Sequence, residues 1–149
     1  LNYRYGINGL LIDPWNTVDH KFETGETETN YISRMLSKIN AFVKLHDIHT
    51  WIISHPRKME VSSDGVVTVP TLYDISGSAN WYNKIDNGIT IHRHRTHDDD
   101  YVGVYVGKIR HQYKNGKPGV AEFEYNTNTG RYKERHERLG IERDIFRQG

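Results

Sequence analysis

GLLIDPWN, residues 9–16, decides the fold. The apolar run Gly9–Ile12 meets Asp13 and then Pro14, and proline disfavours helical backbone in the residue before it. The pattern predicts a buried strand that ends in a loop and delivers a carboxylate at its carboxyl end. An acid that ends a strand often merely caps a turn, so the meaning of Asp13 depends on what the chain places beside it.

Outward from that stretch, elements alternate. Residues 16–30 are polar and read as an exposed loop. Ile32, Met35, Leu36, Ile39, Phe42 and Val43 recur at helical spacing and predict an amphipathic helix over 29–46. TWIIS, residues 50–54, is a second buried strand, stopped by His55 and Pro56. A polar loop over 57–70 leads to GSANWYNKID, a turn and short helix, and then to GITIHR, residues 88–93, a third strand. YVGVYVGKI (101–109) and VAEFEY (120–125) alternate as strands do, joined by the turn-rich NGKPG. Asn128-Thr129-Gly130 is one more turn, before a short strand at 131–133. The charge-dense tail ERHERLGIERDIFRQG reads as a frayed or crossing helix. Parallel β-α-β units followed by an antiparallel meander make a mixed α/β sheet.

In open α/β sheets ligands bind beyond the carboxyl ends of the strands. Asp13 and His55 both occupy such ends, on strands linked by one helix. An acid there suits a magnesium–nucleotide site, because its carboxylate can hold metal-bound water against phosphates.

Composition sets limits. The chain has 149 residues, net charge +1 and no cysteine, which excludes disulfides and thiolate metal sites. A reducing, cytoplasmic location is expected. The sequence pI near 8.1 does not announce a nucleic-acid binder. No apolar run approaches the roughly 18 residues of a membrane helix, and none of these 149 residues reads as a signal peptide. The chain begins at Leu1 in mid-pattern, as a piece of a longer protein would.

Several motifs stand in a telling order. GLLIDPWN resembles the Walker B strand of hexameric, RecA-like replicative helicases, and TWIISHPRK their next motif, where a polar residue ends the neighbouring strand. DISGSANWYNKIDNGITIHR resembles the Gly-Ser stretch before the following strand. VYVGKIRHQYKNGKPGVAEFEYNTNTGRY is similar to the last motif, a Lys-x-Arg strand, a glycine loop and a strand ending Glu-Tyr-Asn. The nearest group is the phage-type primase–helicases and the Twinkle helicases, with DnaB-type helicases more distant. No single motif is specific; the ordered set, spanning about residues 5–134, is.

The resemblance implies an incomplete RecA-like P-loop NTPase core over residues 1–134, followed by a charged tail over 135–149. It implies that Asp13 positions Mg2+ and its water, with ATP or another NTP as the nucleotide. His55 would sense the γ-phosphate, and Arg57 and Lys58 would open the loop that grips single-stranded DNA. Arg93 would sit at the nucleotide, and Tyr125 would stack on its base. Lys108 and Arg110 would reach a neighbour's phosphates as an arginine finger in trans, inside a homo-hexamer formed by the longer protein, with no membrane involved. At i and i+2 on a strand they would face the same way.

Two departures matter. No GxxxxGK[ST] occurs in the chain, and no glutamate stands ready to polarise the attacking water. Both are expected before Leu1, so the piece alone should not hydrolyse ATP. In that fold the P-loop strand lies between TWIIS and GITIHR, and its loss should make those two strands close up and pair, or chains associate to fill the gap. Two other readings stay open. HRHRTHDDD, residues 92–100, offers His92, His94, His97 and Asp98 to Asp100 as a divalent metal site, and hence a metallohydrolase. The basic, tyrosine-rich meander could instead be a non-enzymatic nucleic-acid-binding module.

Overall fold

The computed structural model describes residues 6–63, 65–95 and 100–135. The chain divides into two compact units: one comprises the chain up to Lys58 together with Tyr73–Ile85, the other Met59–Leu72 together with the chain from Asp86 on.

In the first unit, strand β1 (Gly9–Ile12) runs parallel to β2 (His49–Ile52), with Leu10 opposite Thr50 and Ile12 opposite Ile52. Helix α1 (Glu28–His46) connects them. It starts at Thr27, whose hydroxyl accepts the Asn30 N–H at 3.3 Å and so satisfies one of the donors a helix start leaves over. It stops at Asp47, in left-handed backbone with φ 50°, where the Ile48 N–H turns back to the Val43 carbonyl at 3.2 Å. The predicted periodicity is real: Tyr31, Ile32 and Leu36 are buried on one face of α1. They meet Trp15 from the loop after β1 and Trp81 from helix α2 (Ser78–Lys84). The two indoles pack edge to face, centroids 5.5 Å apart, and the Trp81 indole N–H donates to the Ser76 carbonyl at 2.9 Å.

One expectation is corrected. β1 and β2 are not buried on both faces: Leu10, Ile12, Thr50 and Ile52 are half-buried, while Leu11 is 59% and Trp51 56% exposed. A strand alternates sides with every residue, and within this unit the packing residues of α1 cover only one side of the pair. The strand expected over 50–54 is assigned to 49–52, yet the ladder runs on, with Ile53 N–H on the Ile12 carbonyl at 2.9 Å and Trp15 N–H on the Ile53 carbonyl at 2.7 Å.

In the second unit β3 (Asn87–Arg95), β4 (Asp100–Ile109), β5 (Gly119–Asn126) and β6 (Arg131–Glu134) form an antiparallel sheet in that order. A bulge interrupts the β3–β4 register at Gly88/Ile89, and a single helical turn, α3 (Gln112–Asn115), precedes the glycine link to β5. His94 lies opposite Tyr101, and His92 opposite Gly103. A side chain at Gly103 would run into the Tyr105 ring, so only glycine leaves that buried tyrosine its seat. On the other face Arg93 lies across from Val102, Val102 from Phe123, and Tyr125 from Tyr132.

The mixed sheet is therefore realised as two sheets, β1-β2 and β3-β4-β5-β6. The expected direct pairing of the strand over 50–54 with that over 88–93 is not formed. β3 pairs instead with β4, its nearest strand in sequence and the cheaper partner to reach. The charged tail from 136 on, and His97, Asp98 and Asp99 of the proposed metal cluster, lie outside the described residues.

Candidate functional site

Residues named by the resemblance occur in both units. In the first, the parallel register brings Asp13 and His55 to the carboxyl ends of β1 and β2, where an open α/β sheet presents its ligands. Asp13 is exposed, and its carboxylate has no hydrogen bond or ion pair among the described residues. His55 is also exposed, and its backbone N–H donates to Asn16 Oδ1 at 2.8 Å. The same oxygen accepts the Ser54 hydroxyl at 3.3 Å. Beside this junction lies a cavity of about 130 Å3, lined by Trp15, Asn16, His20, Glu28, Ile32, Ser54, Ile75 and Ser76. It has room for a few waters.

Arg57 leaves the β2 edge already engaged. Its N–H donates to the Asp74 carbonyl at 2.7 Å, and its guanidinium meets the Asp74 carboxylate at 3.2 Å. That side chain is still 72% exposed, so the pair fixes the base of the residue and leaves the charge in solvent. Lys58, next to it, is exposed. Next to Asp74 the rings of Tyr73 and Tyr82 stack, centroids 5.1 Å apart, on the surface of the same unit. Sequence reasoning missed this pair, because residues 73 and 82 meet only once α2 has folded back.

A stiff clamp holds the loop before α1. Arg34 donates to both oxygens of Glu26 at 2.8 and 2.7 Å, and those bonds lower the Glu26 pKa from 4.5 to about 2. The guanidinium also lies 5.3 Å from the centroid of the Tyr31 ring.

In the second unit, Arg93 and Tyr125 share one sheet face by register. Arg93 donates to both oxygens of Asp100, at 2.8 and 2.5 Å, which holds the guanidinium charged. Tyr125 is 43% exposed and has the Tyr132 ring beside it, 5.0 Å away. Lys108 is half-buried on β4, and burial, with the Arg110 charge next, pushes its pKa down. Arg110 stands one residue beyond the end of β4, just past the strand expected over 101–109. Its N–H donates to the Asp86 carbonyl at 2.8 Å, and its Nε meets the Asp86 carboxylate at 2.9 Å. The exposed pair is aimed by its backbone and loosely held at its tip, since such ion pairs contribute little in water.

Of the histidines in the metal reading, His94 is engaged within the sheet. His94 Nε2 lies 2.6 Å from the Tyr105 hydroxyl, and its ring stacks on Tyr101 at 4.4 Å. Burial and the neighbouring His94 lower the His92 pKa. Among the described residues no three His, Asp or Glu side chains come together as a metal would require.

Comparison with known proteins follows this geometry. No protein-family model matches the chain. It is 43% identical over 134 residues to the Twinkle homolog protein, chloroplastic/mitochondrial, of Arabidopsis thaliana, an alignment covering 88% of this chain and 18% of that protein. The chain thus spans under a fifth of the relative's length, and the compartments in that name differ from the cytoplasm suggested by cysteine content. Among the described residues no helix is long and apolar enough to cross a membrane. In three dimensions the chain is similar to a DnaB-like replicative helicase, solved in a study of its interactions with primase, with a TM-score of 0.62 and 18% identity over 83% of this chain and 29% of that one. The fold is that of a RecA-like core in part, parallel β-α-β followed by an antiparallel meander, and the chain is similar to a Twinkle homolog in sequence and to a DnaB-like replicative helicase in fold.

Proposed function

We propose that this chain is the carboxyl-terminal part of the motor domain of a replicative DNA helicase, which hydrolyses an NTP at subunit interfaces and moves along single-stranded DNA. The observation that carries the reading is that Asp13, exposed and without a side-chain partner among the described residues, and His55 both stand at the carboxyl ends of a parallel strand pair. Sequence identity to a Twinkle homolog over most of the chain supports it.

The donors at that edge, the Asp13 carboxylate and the Ser54 hydroxyl, are hard oxygens of the kind Mg2+ prefers. Bound there with the nucleotide, Mg2+ would neutralise phosphate charge. Asp13 would help hold Mg2+, His55 would sense the γ-phosphate, and Arg93 and Tyr125 would contact the nucleotide. Arg57 and Lys58 face the DNA backbone, and Lys108 and Arg110 reach a neighbouring subunit's phosphates in a hexameric ring. The phosphate-cradling loop and the water-polarising glutamate would come from sequence outside these 149 residues, so the piece alone should not hydrolyse an NTP.

The test is Arg110→Ala in the longer protein. NTP binding should persist while hydrolysis falls by about a thousandfold, because a finger arginine stabilises charge that develops only in the transition state. Mixing mutant with wild-type subunits should depress activity more than in proportion. Normal DNA-stimulated turnover in the mutant removes Arg110 from the site.

A further inference from the structure

Asn16 has no role in the reading above, yet its side chain bridges the ends of β1 and β2. Its Oδ1 accepts the backbone N–H of His55 at 2.8 Å and the hydroxyl of Ser54 at 3.3 Å. The partners are 39 residues apart in sequence, so this is no local turn or helix cap of the kind asparagine usually makes.

Both sides of the bridge are stiff. Trp15, the neighbour of Asn16, is 6% exposed and fixed in the core, with its N–H on the Ile53 carbonyl at 2.7 Å. Asp13 stands three residues before Asn16 on the same short loop. On the far side, Arg57 follows His55 by two residues and is held through its own N–H to Asp74. The polar cavity of about 130 Å3 lined by Asn16, His20, Ser54 and Ser76 leaves the bridge space to adjust.

We infer that Asn16 is a positioning residue: its amide oxygen ties the loop bearing the metal acid Asp13 to the loop bearing His55 and Arg57, so that the state of the nucleotide and occupancy by DNA are felt at the same point. The inference rests on the helicase reading. It requires an acceptor at the Oδ1 position and no donor there, since both partners donate.

The test uses the longer protein with single-stranded DNA and NTP. Three variants are compared with wild type by the ratio of DNA-stimulated to DNA-free turnover. Asn16→Asp retains the acceptor and should keep the ratio within about threefold of wild type. Asn16→Gln, which displaces the oxygen by one methylene, and Asn16→Ala, which removes it, should each lower the ratio about tenfold, the scale of one lost hydrogen bond on which others depend. The KM for NTP should move far less than the stimulated kcat, a split that a general loss of fold would not give. If Asn16→Ala does not fold, the contrast between Asn16→Gln and Asn16→Asp decides alone. Equal ratios in Asn16→Gln, Asn16→Asp and wild type overturn the inference, as does an Asn16→Asp ratio as low as that of Asn16→Gln. A wild-type protein with no DNA-stimulated hydrolysis defeats the helicase reading itself, whatever Asn16 does.

Discussion

Replacing Trp15 with alanine tests whether the loop between Asp13 and Asn16 is set by the core. The indole is 6% exposed, so nearly all of the roughly 200 Å2 that a tryptophan can bury is out of water. At about 25 cal/mol per Å2 that burial corresponds to about 5 kcal/mol. The figure is an upper bound, since an unfolded chain already buries part of the ring. The edge-to-face contact with Trp81 at 5.5 Å adds about 1 kcal/mol, while the alanine methyl recovers a little. Together these give about 3–5 kcal/mol, the usual range for such truncations. That is a large share of the roughly 5–15 kcal/mol of a whole domain, drawn from a small cluster in which Trp15 packs with Tyr31, Ile32, Leu36 and Trp81. The assay is equilibrium urea denaturation followed by helical circular dichroism, with Trp51→Ala as control. Trp51 is 56% exposed, and its removal should stay within about 0.5 kcal/mol. If Trp15→Ala costs less than about 1 kcal/mol, or no more than Trp51→Ala, the core is not where the packing puts it.

Two further outcomes follow from the charges. Glu26 has its pKa lowered from 4.5 to about 2 by Arg34, so its contribution to stability is complete above pH 4.5 and is lost as pH falls toward 2; Glu26→Gln should flatten acid denaturation in that window, and an unchanged acid limb would show the clamp is not formed. Removing Arg57 and Lys58 together should weaken single-strand DNA binding and reduce the slope of log affinity against log salt by about two units, one per phosphate contact; an intact slope would leave both as surface charge.

How much of this was legible in the sequence depends on the range of the interactions. The helix was legible because its signal is local: the apolar spacing from Ile32 to Val43 and the stop after His46 need no knowledge of the rest of the chain. The meander was legible through its alternation, and Asp13 and His55 through the apolar runs they end. What was not legible came from pairing between distant residues. The burial of β1 and β2 was misjudged because an apolar run does not say how many of its faces a neighbour covers, and Leu11 and Trp51 stand open. The engagement of Arg93 with Asp100, of Arg57 with Asp74 and of Arg110 with Asp86 depends on side chains meeting across loops. Asn16, inside the very stretch that decided the fold, read as an ordinary loop polar residue because its partners sit on another strand.

The open side of the parallel pair has a consequence for inheritance. Parallel strands are ordinarily covered on both faces, and their outward residues are apolar for that reason. Leu11 and Trp51 keep that apolar character at more than half exposure. A substitution scan of these 149 residues alone would score both positions as freely replaceable. The same scan in a protein that covers this face should find them among the least tolerant, polar replacements failing first, and the difference between the two scans would mark out the footprint of whatever lies against the strands.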